Sequence, residues 1–442
     1  MTGYERYEET NMPEKKQEDL NRVGPKSPMG KLMRQYWIPA LLSSEIEPDG
    51  PPLRVKLLGE ELIAFRTASG RIGLMDHRCP HRCASLFFGR NEEEGIRCVY
   101  HGWKYDPDGQ CVDQPSEPPE YVFKPKVQAT AYATCERAGL VWAFMGPKGE
   151  SLPELPDIEA TGLPEDEIQV WAALRECNWL QGLEGDIDTS HFGFLHIGSA
   201  TEDQAAPGSS TLYAIKDRAP RYKVEDTPFG TTYGAYRPGD EGMNYWRIAH
   251  FLFPFWTMPP GSPMERQMIA RAWVPMDDEH TMFYHISRAG SGPSRNRIAG
   301  RQIAGLGAEI ERLPNTNDWY GRWRLACNRD NDYMMDRHVQ STESYTGILG
   351  GHVQDQMITE SMGPVTDWTR ERLGSSDQMI IQTRRRILRA LDEFRTDGTV
   401  PPGAEDPKVY DRVRSGTLML PLDADWVREI ENIRRKLQTE RQ

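Results

Sequence analysis

A chain of 442 residues, 38% hydrophobic and 27% charged, exceeds the size at which a single core keeps growing, so two compact domains are expected. The formal net charge of −13 argues against a nucleic-acid surface and repels anions at long range, so an acidic substrate would have to be held by a few internal arginines. With no apolar core in the first twenty residues, no stretch of about 18 apolar residues, and seven Cys at uneven spacing, the chain reads as cytoplasmic, without membrane contact, its thiols metal-bound or buried rather than paired.

Residues 1–30 read as a polar arm. Residues 31–150 read as a small all-β domain. Within it, 54–67 alternates as two strands joined at Gly59-Glu60, and the runs 71–76, 98–106 and 139–146 are separated by Pro and Gly turns. The Pro- and acid-rich segment 148–167 offers almost nothing for a core, which sets a boundary there and leaves 151–442 as the second domain. From 205 to 290 the pattern is strand-like. Residues 376–397 read as a helix with Ser376 or Asp377 as N-cap and Gly398 after its end, placing Ile380, Ile387, Leu391 and Phe394 on one face. Trp426, Ile430, Ile433 and Leu437 predict a second amphipathic helix. The second domain is therefore expected to be an antiparallel sheet packed by helices, and the whole chain α+β.

Cys79 and His81 form a C-x-H pair, and after sixteen residues Cys98 and His101 form a C-x-x-H pair. Two thiolates for one iron and two imidazoles for the other is the donor set of a 2Fe-2S cluster in which His replaces Cys on one metal. Pro80, Gly89, Gly102 and Gly109 are the turn formers at hand. A structural zinc ion is the alternative, but zinc sites usually pair like with like. Cys83 is expected to be a buried thiol beside the cluster, because Val99 and Tyr100 leave it no disulfide partner on the second loop.

Further on, Asp188, His191 and His196 are arranged D-x-x-H-x-x-x-x-H. Two His and one carboxylate on one face of an octahedron hold ferrous iron with positions left open. His191 and His196, five residues apart, diverge on a straight helix, so the helix must distort or end, and Gly193 could permit that. His77, His250, His280, His285, His338 and His352 taken singly are read as satisfied core histidines. The third ligand is open among Asp355, Asp332, Asp336, Asp367 and Asp377, with Asp355 favoured.

Both constellations, with the segments 217–220, 331–340 and 360–364, resemble the catalytic (alpha) subunit of Rieske non-haem-iron aromatic-ring-hydroxylating oxygenases, in the phthalate dioxygenase-like branch. The resemblance covers nearly the whole chain and implies a β Rieske domain followed by a helix-grip catalytic domain. It implies a 2Fe-2S Rieske cluster on Cys79, His81, Cys98 and His101, and mononuclear Fe(II) on His191, His196 and Asp355, five residues before Glu360 as in related oxygenases. Asp188 would then link a mononuclear-iron His of one subunit to a Rieske His of its neighbour in a homotrimer or doubled homotrimer. The implied reaction uses dioxygen and electrons from NAD(P)H, delivered by a flavin and iron-sulfur reductase, to dioxygenate an aromatic substrate such as a phthalate or benzoate.

A substrate carboxylate needs a buried Arg, and the candidates are Arg218, Arg221, Arg237 and Arg247, with Arg221 and Arg247 preferred. Phe251, Phe253, Phe255 and Trp256 are candidates for the pocket wall. Two rival readings remain open: a Rieske monooxygenase that O-demethylates an aryl ether, and an electron carrier without oxygen chemistry.

Overall fold

The structure, a computed structural model, describes residues 14–147, 149, 151–290, 306 and 310–439. The first thirteen residues of the expected polar arm and part of the expected boundary segment lie outside the described residues. The rest of the arm is not loose. Helices α1 (Glu14–Asn21) and α2 (Pro28–Met33) dock on the molecule, and Leu20, Val23 and Met29 are fully buried. Polar composition hid this docking, because backbone carbonyls do part of it: Trp179 Nε1 donates to Leu20 O at 3.1 Å and Asn178 Nδ2 to Asn21 O at 2.9 Å.

Strands β1 (Trp37–Leu42), β2 (Leu53–Leu57), β3 (Glu60–Arg66), β4 (Ile72–Asp76), β5 (Arg90–Glu92), β6 (Gly95–Arg97), β7 (Lys104–Tyr105), β8 (Cys111–Asp113), β9 (Ala131–Arg137) and β10 (Leu140–Phe144) build the first half. They form a six-stranded antiparallel sheet, β1-β10-β9-β4-β3-β2, and a four-stranded one, β5-β6-β7-β8. The β2–β3 hairpin turns at Leu58-Gly59, one residue before the expected position, with φ of 46° and 79° at the two turn residues. That geometry suits the twist of a two-residue hairpin. Leu58 accepts the strain because its side chain is fully buried and its N–H, with that of Gly59, donates to Pro275 O and Met276 O of the second half.

The second half is an eight-stranded antiparallel sheet of β11 (Ile168–Arg175), β12 (Arg221–Thr227), β13 (Gly230–Pro238), β14 (Met243–Leu252), β15 (Trp256–Met258), β16 (Ile269–Pro275), β17 (Thr281–Arg288) and β18 (Gly416–Pro421). The order is β11-β17-β16-β15-β14-β13-β12, with β18 also pairing β14. Helix α3 (Trp179–Ile187) crosses β14, β15 and β16. The helices that follow are α4 (Ser210–Lys216), α5 (Arg337–Thr342), α6 (Gly351–Ser361), α7 (Gln378–Asp397) and α8 (Trp426–Thr439). Helix α6 packs on α3, and α7 on β12 and β13, burying Met379, Ile387 and Leu391. Gly398 ends α7 with φ of 80°, as its position predicts, and α8 buries Trp426 and Leu437.

One apolar core runs through both halves, with Trp142 stacked on Trp256 at 5.6 Å. Ile158 and Ala160 belong to it, so the segment expected to lack core residues contributes two. Phe251, Phe253, Phe255 and Trp256 are buried in the same core, where Phe253 and Trp256 border a void of about 10 Å³, too small for an aromatic ring. No helix among the described residues is long and apolar enough to cross a membrane.

Candidate active site

The two loops bearing Cys79, His81, Cys98 and His101 are tight turns tied to the four-stranded sheet. Cys79 N–H donates to Ala84 O and Cys98 N–H to Trp103 O, each at 2.8 Å. Gly102 takes φ of 77°, and a Cβ there would meet Pro115 Cγ at 2.7 Å, so this turn requires glycine. Gly89 has an ordinary φ of −69°, but a Cβ there would meet Leu86 O at 2.7 Å and Arg97 O at 2.9 Å, so this close backbone approach also requires glycine. The left-handed residue of the first loop is Cys83, with φ of 59°, and it is exposed, not the buried thiol expected. Its N–H closes the turn on Cys79 O at 2.9 Å and points the side chain outward.

Cys79 and Cys98 are buried against each other, and Tyr105 Oη lies 3.2 Å from Cys79 Sγ. Burial pushes the Cys79 thiol up, and metal binding must displace that proton. His81 stacks on Trp103 at 4.3 Å and meets His101 at 4.5 Å, while His101 Nδ1 is buried with no hydrogen-bond partner. The four side chains thus fall into a sulfur pair and a nitrogen pair. They are not among the groups of donor atoms converging within 4.8 Å, whereas one tetrahedral zinc would draw its ligands that close. An orphaned imidazole nitrogen and two separate donor pairs fit a two-iron cluster.

The second constellation forms where α3 stops. The helix ends at Ile187, Asp188 turns extended with φ of −86° and ψ of 114°, and His191–Gly193 make one 3-10 turn. Leu195 N–H then returns to His191 O at 2.8 Å, so the chain winds again and brings His196 round to His191. Gly193 is not the cause, since a Cβ there would have only ordinary contacts.

His191 Nε2 and His196 Nε2 lie 3.2 Å apart, and Asp355 Oδ1 is 3.0 Å from His196 Nε2 and 3.6 Å from His191 Nε2. Three donors at right angles around a metal with bonds of about 2.1 Å stand about 3.0 Å from one another, so this triangle fits a facial two-His-one-carboxylate set. Burial raises the Asp355 carboxyl, but His196 and His191 outweigh it and hold it down to about 2.

Each donor is braced. Asp188 Oδ2 is 3.5 Å from His191 Nδ1, and its Oδ1 accepts from Ser190 N–H at 2.7 Å. Burial opposes ionisation of both partners, yet their mutual attraction lowers the Asp188 carboxyl and raises the His191 imidazole. His196 Nδ1 lies 2.8 Å from Gln354 Oε1, whose amide is fixed because its Nε2 donates to Ile348 O at 2.9 Å. His196 Nδ1 is therefore the protonated nitrogen and Nε2 presents its lone pair to the triad. Glu360 is buried on the helix of Asp355, accepting from Glu176 N–H at 2.9 Å and Tyr333 Oη at 2.7 Å, so it anchors α6 while Asp355 faces the triad.

The other aspartates do not converge here: Asp336 caps α5, Asp367 caps the turn at Trp368, Asp332 sits in a left-handed turn, and Asp377 accepts from Gly374 N–H. Of the remaining histidines, His250 is a satisfied core residue, but His338 is exposed and His352 borders a cavity, contrary to expectation.

That cavity, of 230 Å³, touches His191 and Asp355 and is walled by Trp273, Phe283, Leu195 and Ile358. Among the candidate arginines, Arg221 is 60% exposed and paired with Asp217 at 3.1 Å, which removes it from any buried pocket. Arg247 is buried, donates from Nε to Thr189 Oγ1 at 2.7 Å and lies over Phe192, and Arg237 beside it is held down to about 10 by burial and by Arg247. Arg218 donates to Gly193 O and to Gly198 O. None of these four lines the cavity; Arg175, Arg271 and Arg384 do, and no spacing rule in the sequence singles them out, nor Gln354.

Comparison with known proteins agrees with this arrangement. Residues 36–131 match the Rieske [2Fe-2S] domain and residues 143–441 the LigXa C-terminal domain-like family. Over 417 residues the chain is 48% identical to the 3-chlorobenzoate-3,4-dioxygenase oxygenase subunit of Comamonas testosteroni, covering 93% of this chain and 96% of that one. It is 36% identical over 417 residues to the phthalate 4,5-dioxygenase oxygenase subunit of Pseudomonas putida, covering 92% of each. Among solved structures, NdmA of Pseudomonas putida CBB5 superposes with a TM-score of 0.53 at 19% identity over 90% of this chain and all (100%) of that one, which shows a shared fold. The chain belongs to the Rieske non-haem-iron oxygenases, as an oxygenase subunit of the branch that includes the chlorobenzoate and phthalate dioxygenases.

Proposed function

We propose that this subunit dioxygenates an aromatic carboxylate of the benzoate or phthalate kind, working in the cytoplasm with a flavin and iron-sulfur reductase. Cys79, His81, Cys98 and His101 hold the 2Fe-2S cluster in a domain spanning 31–150. His191, His196 and Asp355 hold the ferrous iron in a domain spanning 151–442. When bound, the cluster would supply a stored electron and the iron an open site for dioxygen activation. The protein's own part is positional. Asp188 and Gln354 fix the two imidazoles, α6 holds Asp355, and the apolar wall of Trp273 and Phe283 keeps water from the ring. Asp188 also bridges to a neighbour's Rieske histidine in a homotrimer or doubled homotrimer.

The observation that carries this reading is the convergence of the three donor atoms within 3.0–3.6 Å beside an aromatic-walled cavity. The substrate class is supported by the two relatives named above. The test is the purified enzyme with a surrogate reductase, NADH and ¹⁸O₂, on 3-chlorobenzoate and phthalate. A cis-diol carrying two labelled oxygens, from protein with about three irons per chain, is the expected result. One labelled oxygen would make it a monooxygenase, and about two irons per chain would make it an electron carrier.

A further inference from the structure

Helix α3 brings two glycines, Gly182 and Gly185, to the wall of the cavity beside the triad. A glycine inside a helix is less stable than an alanine, so each position asks for a reason. Gly182 has a packing reason: a Cβ there would meet the Trp273 indole at 2.6 Å, so the indole lies against bare backbone. Gly185 has no such reason. Its φ is that of an ordinary helical residue, and among the described residues outside its own helix a Cβ would come within 4 Å of one atom, Thr359 Cγ2 at 3.1 Å. The remaining space in front of Gly185 belongs to the cavity.

The walls of that space are fixed. Gln181, one turn earlier on α3, is buried and ties α3 to α6: its Nε2 donates to Thr359 O at 2.9 Å and to Gly363 O at 2.8 Å, and its Oε1 accepts from Thr366 N–H at 2.9 Å. Thr359 is 3% exposed, and its hydroxyl donates to Asp355 O at 2.9 Å, which holds the rotamer that aims the Cγ2 methyl at Gly185. Trp273 closes the side toward Gly182. The charged residues next to Gly185 are turned to partners of their own, Glu184 to Arg384 at 2.6 Å, Asp186 to Arg271, and Asp188 to His191 at 3.5 Å. What is left at Gly185 is a gap the size of a methyl group, bounded by a methyl and an indole, one helical turn before Asp188.

We infer that Gly185 is a specificity-determining residue: its absent side chain leaves a slot between α3 and α6 that takes one small apolar substituent, a methyl or a chlorine, on the ring of the aromatic substrate. This rests on the aromatic-carboxylate reading above and adds which rings the site favours. A substituent of that size exchanges water for the Thr359 methyl and the Trp273 indole, whereas a hydroxyl placed there gives up its hydration beside a Thr359 hydroxyl that is already engaged. Nothing in the spacing of the sequence marks the position, because the slot is completed by Thr359 and Trp273, which lie far along the chain.

The test is calorimetric binding of benzoate and of the 2-, 3- and 4-methylbenzoates to the iron-loaded holoenzyme, with the matching benzamides alongside. In the wild type one methyl isomer should bind about fourfold more tightly than benzoate, the gain from burying a methyl group. Gly185→Ala fills the slot with a methyl of its own, so that isomer should weaken by about 10-fold or more while benzoate stays within about threefold. Adding Thr359→Ser withdraws the facing methyl and keeps the hydroxyl, so the double variant should recover most of the loss, and it relieves the 3.1 Å contact should alanine alone disturb the helices. Equal weakening of every ligand in both variants, with a lower thermal midpoint and iron content, would make Gly185 a packing residue and overturn the slot. A wild type with no favoured isomer, or a preference that survives Gly185→Ala, overturns it too. A wild type that binds the benzamides as tightly as the benzoates overturns the carboxylate reading instead, and the slot is then judged on the methylbenzamides.

Discussion

The orientation of His196 within the triad is set by a residue outside it. Gln354 is buried, its amide is held by Ile348 O, and only one of its atoms is left to meet the imidazole. Replacing it with Leu keeps the volume but frees the ring to adopt the other tautomer. Gln354→Leu should therefore weaken iron binding at the mononuclear site by about 10- to 100-fold while the visible spectrum of the cluster stays as in wild type, measured by iron titration of the chelator-treated protein. His250 makes the opposite case, a histidine that is structural. Its Nε2 donates to Arg414 O at 3.0 Å and its Nδ1 accepts from Thr232 Oγ1 at 2.7 Å, and burial holds the imidazole down to about 4 from 6.5. Above pH 6.5 it is neutral folded or unfolded and contributes no pH dependence. Between pH 6.5 and about 4 the unfolded chain takes a proton that the folded one refuses, so stability falls across that window by up to about 3 kcal/mol and levels off below it. His250→Gln, which keeps an acceptor and a donor, should remove that component from the thermal midpoint measured between pH 7 and pH 4.

At the scale of elements, the site is a junction of three helices, and the bond between two of them is ionic. Arg384 of α7 is 3% exposed, donates to both oxygens of Glu184 on α3 at 2.6 Å, and reaches Glu371 at 2.6 Å while stacking on Trp368. Removing one member leaves buried charge behind, so Arg384→Met should lower stability by about 3–5 kcal/mol in a denaturant titration, and adding Glu184→Gln should recover part of it because the stranded carboxylate goes too. The sequence announced α7 and α8 well, since periodicity of apolar residues is a local signal. The grouping of His81 with His101 and of His191 with His196 was legible as well, since their spacing is fixed by loops a few residues long. The sequence could not announce how α3 ends, because Asp188 turning extended is decided by the contacts of Ser190 and His191 and not by any helix breaker. Arg175, Arg271 and Gln354 were hidden for a related reason: each acts on a partner 80 residues or more away, such as Asp186, Gln356 or His196, and nothing near it in the chain records that contact.

At the scale of the whole molecule, each centre lies under its own exposed apolar patch. Val99 and Tyr100, 59% and 54% exposed, precede His101 on its loop, and Phe194 and Leu349, 47% and 62% exposed, lie two residues before His196 and before α6, with Tyr345, 52% exposed, 6.3 Å from the Phe194 ring. A monomer in water has little reason to display large apolar side chains at both places. A head-to-tail contact in which the cluster patch of one chain covers the iron patch of the next would bury both, and such a contact, repeated, closes a ring. The proposed homotrimer predicts a result that no single chain can produce. Cys98→Ser spoils the cluster and Asp355→Ala spoils the iron, and each variant alone should be inactive. Co-expressed in equal amounts, they form mixed rings in which about one interface in four pairs an intact cluster with a neighbour's intact iron, so turnover should return to about a quarter of wild type. Chains that used only their own two centres would show no recovery at any mixing ratio, and the dependence of recovered activity on that ratio, fitted to random assembly, distinguishes the two.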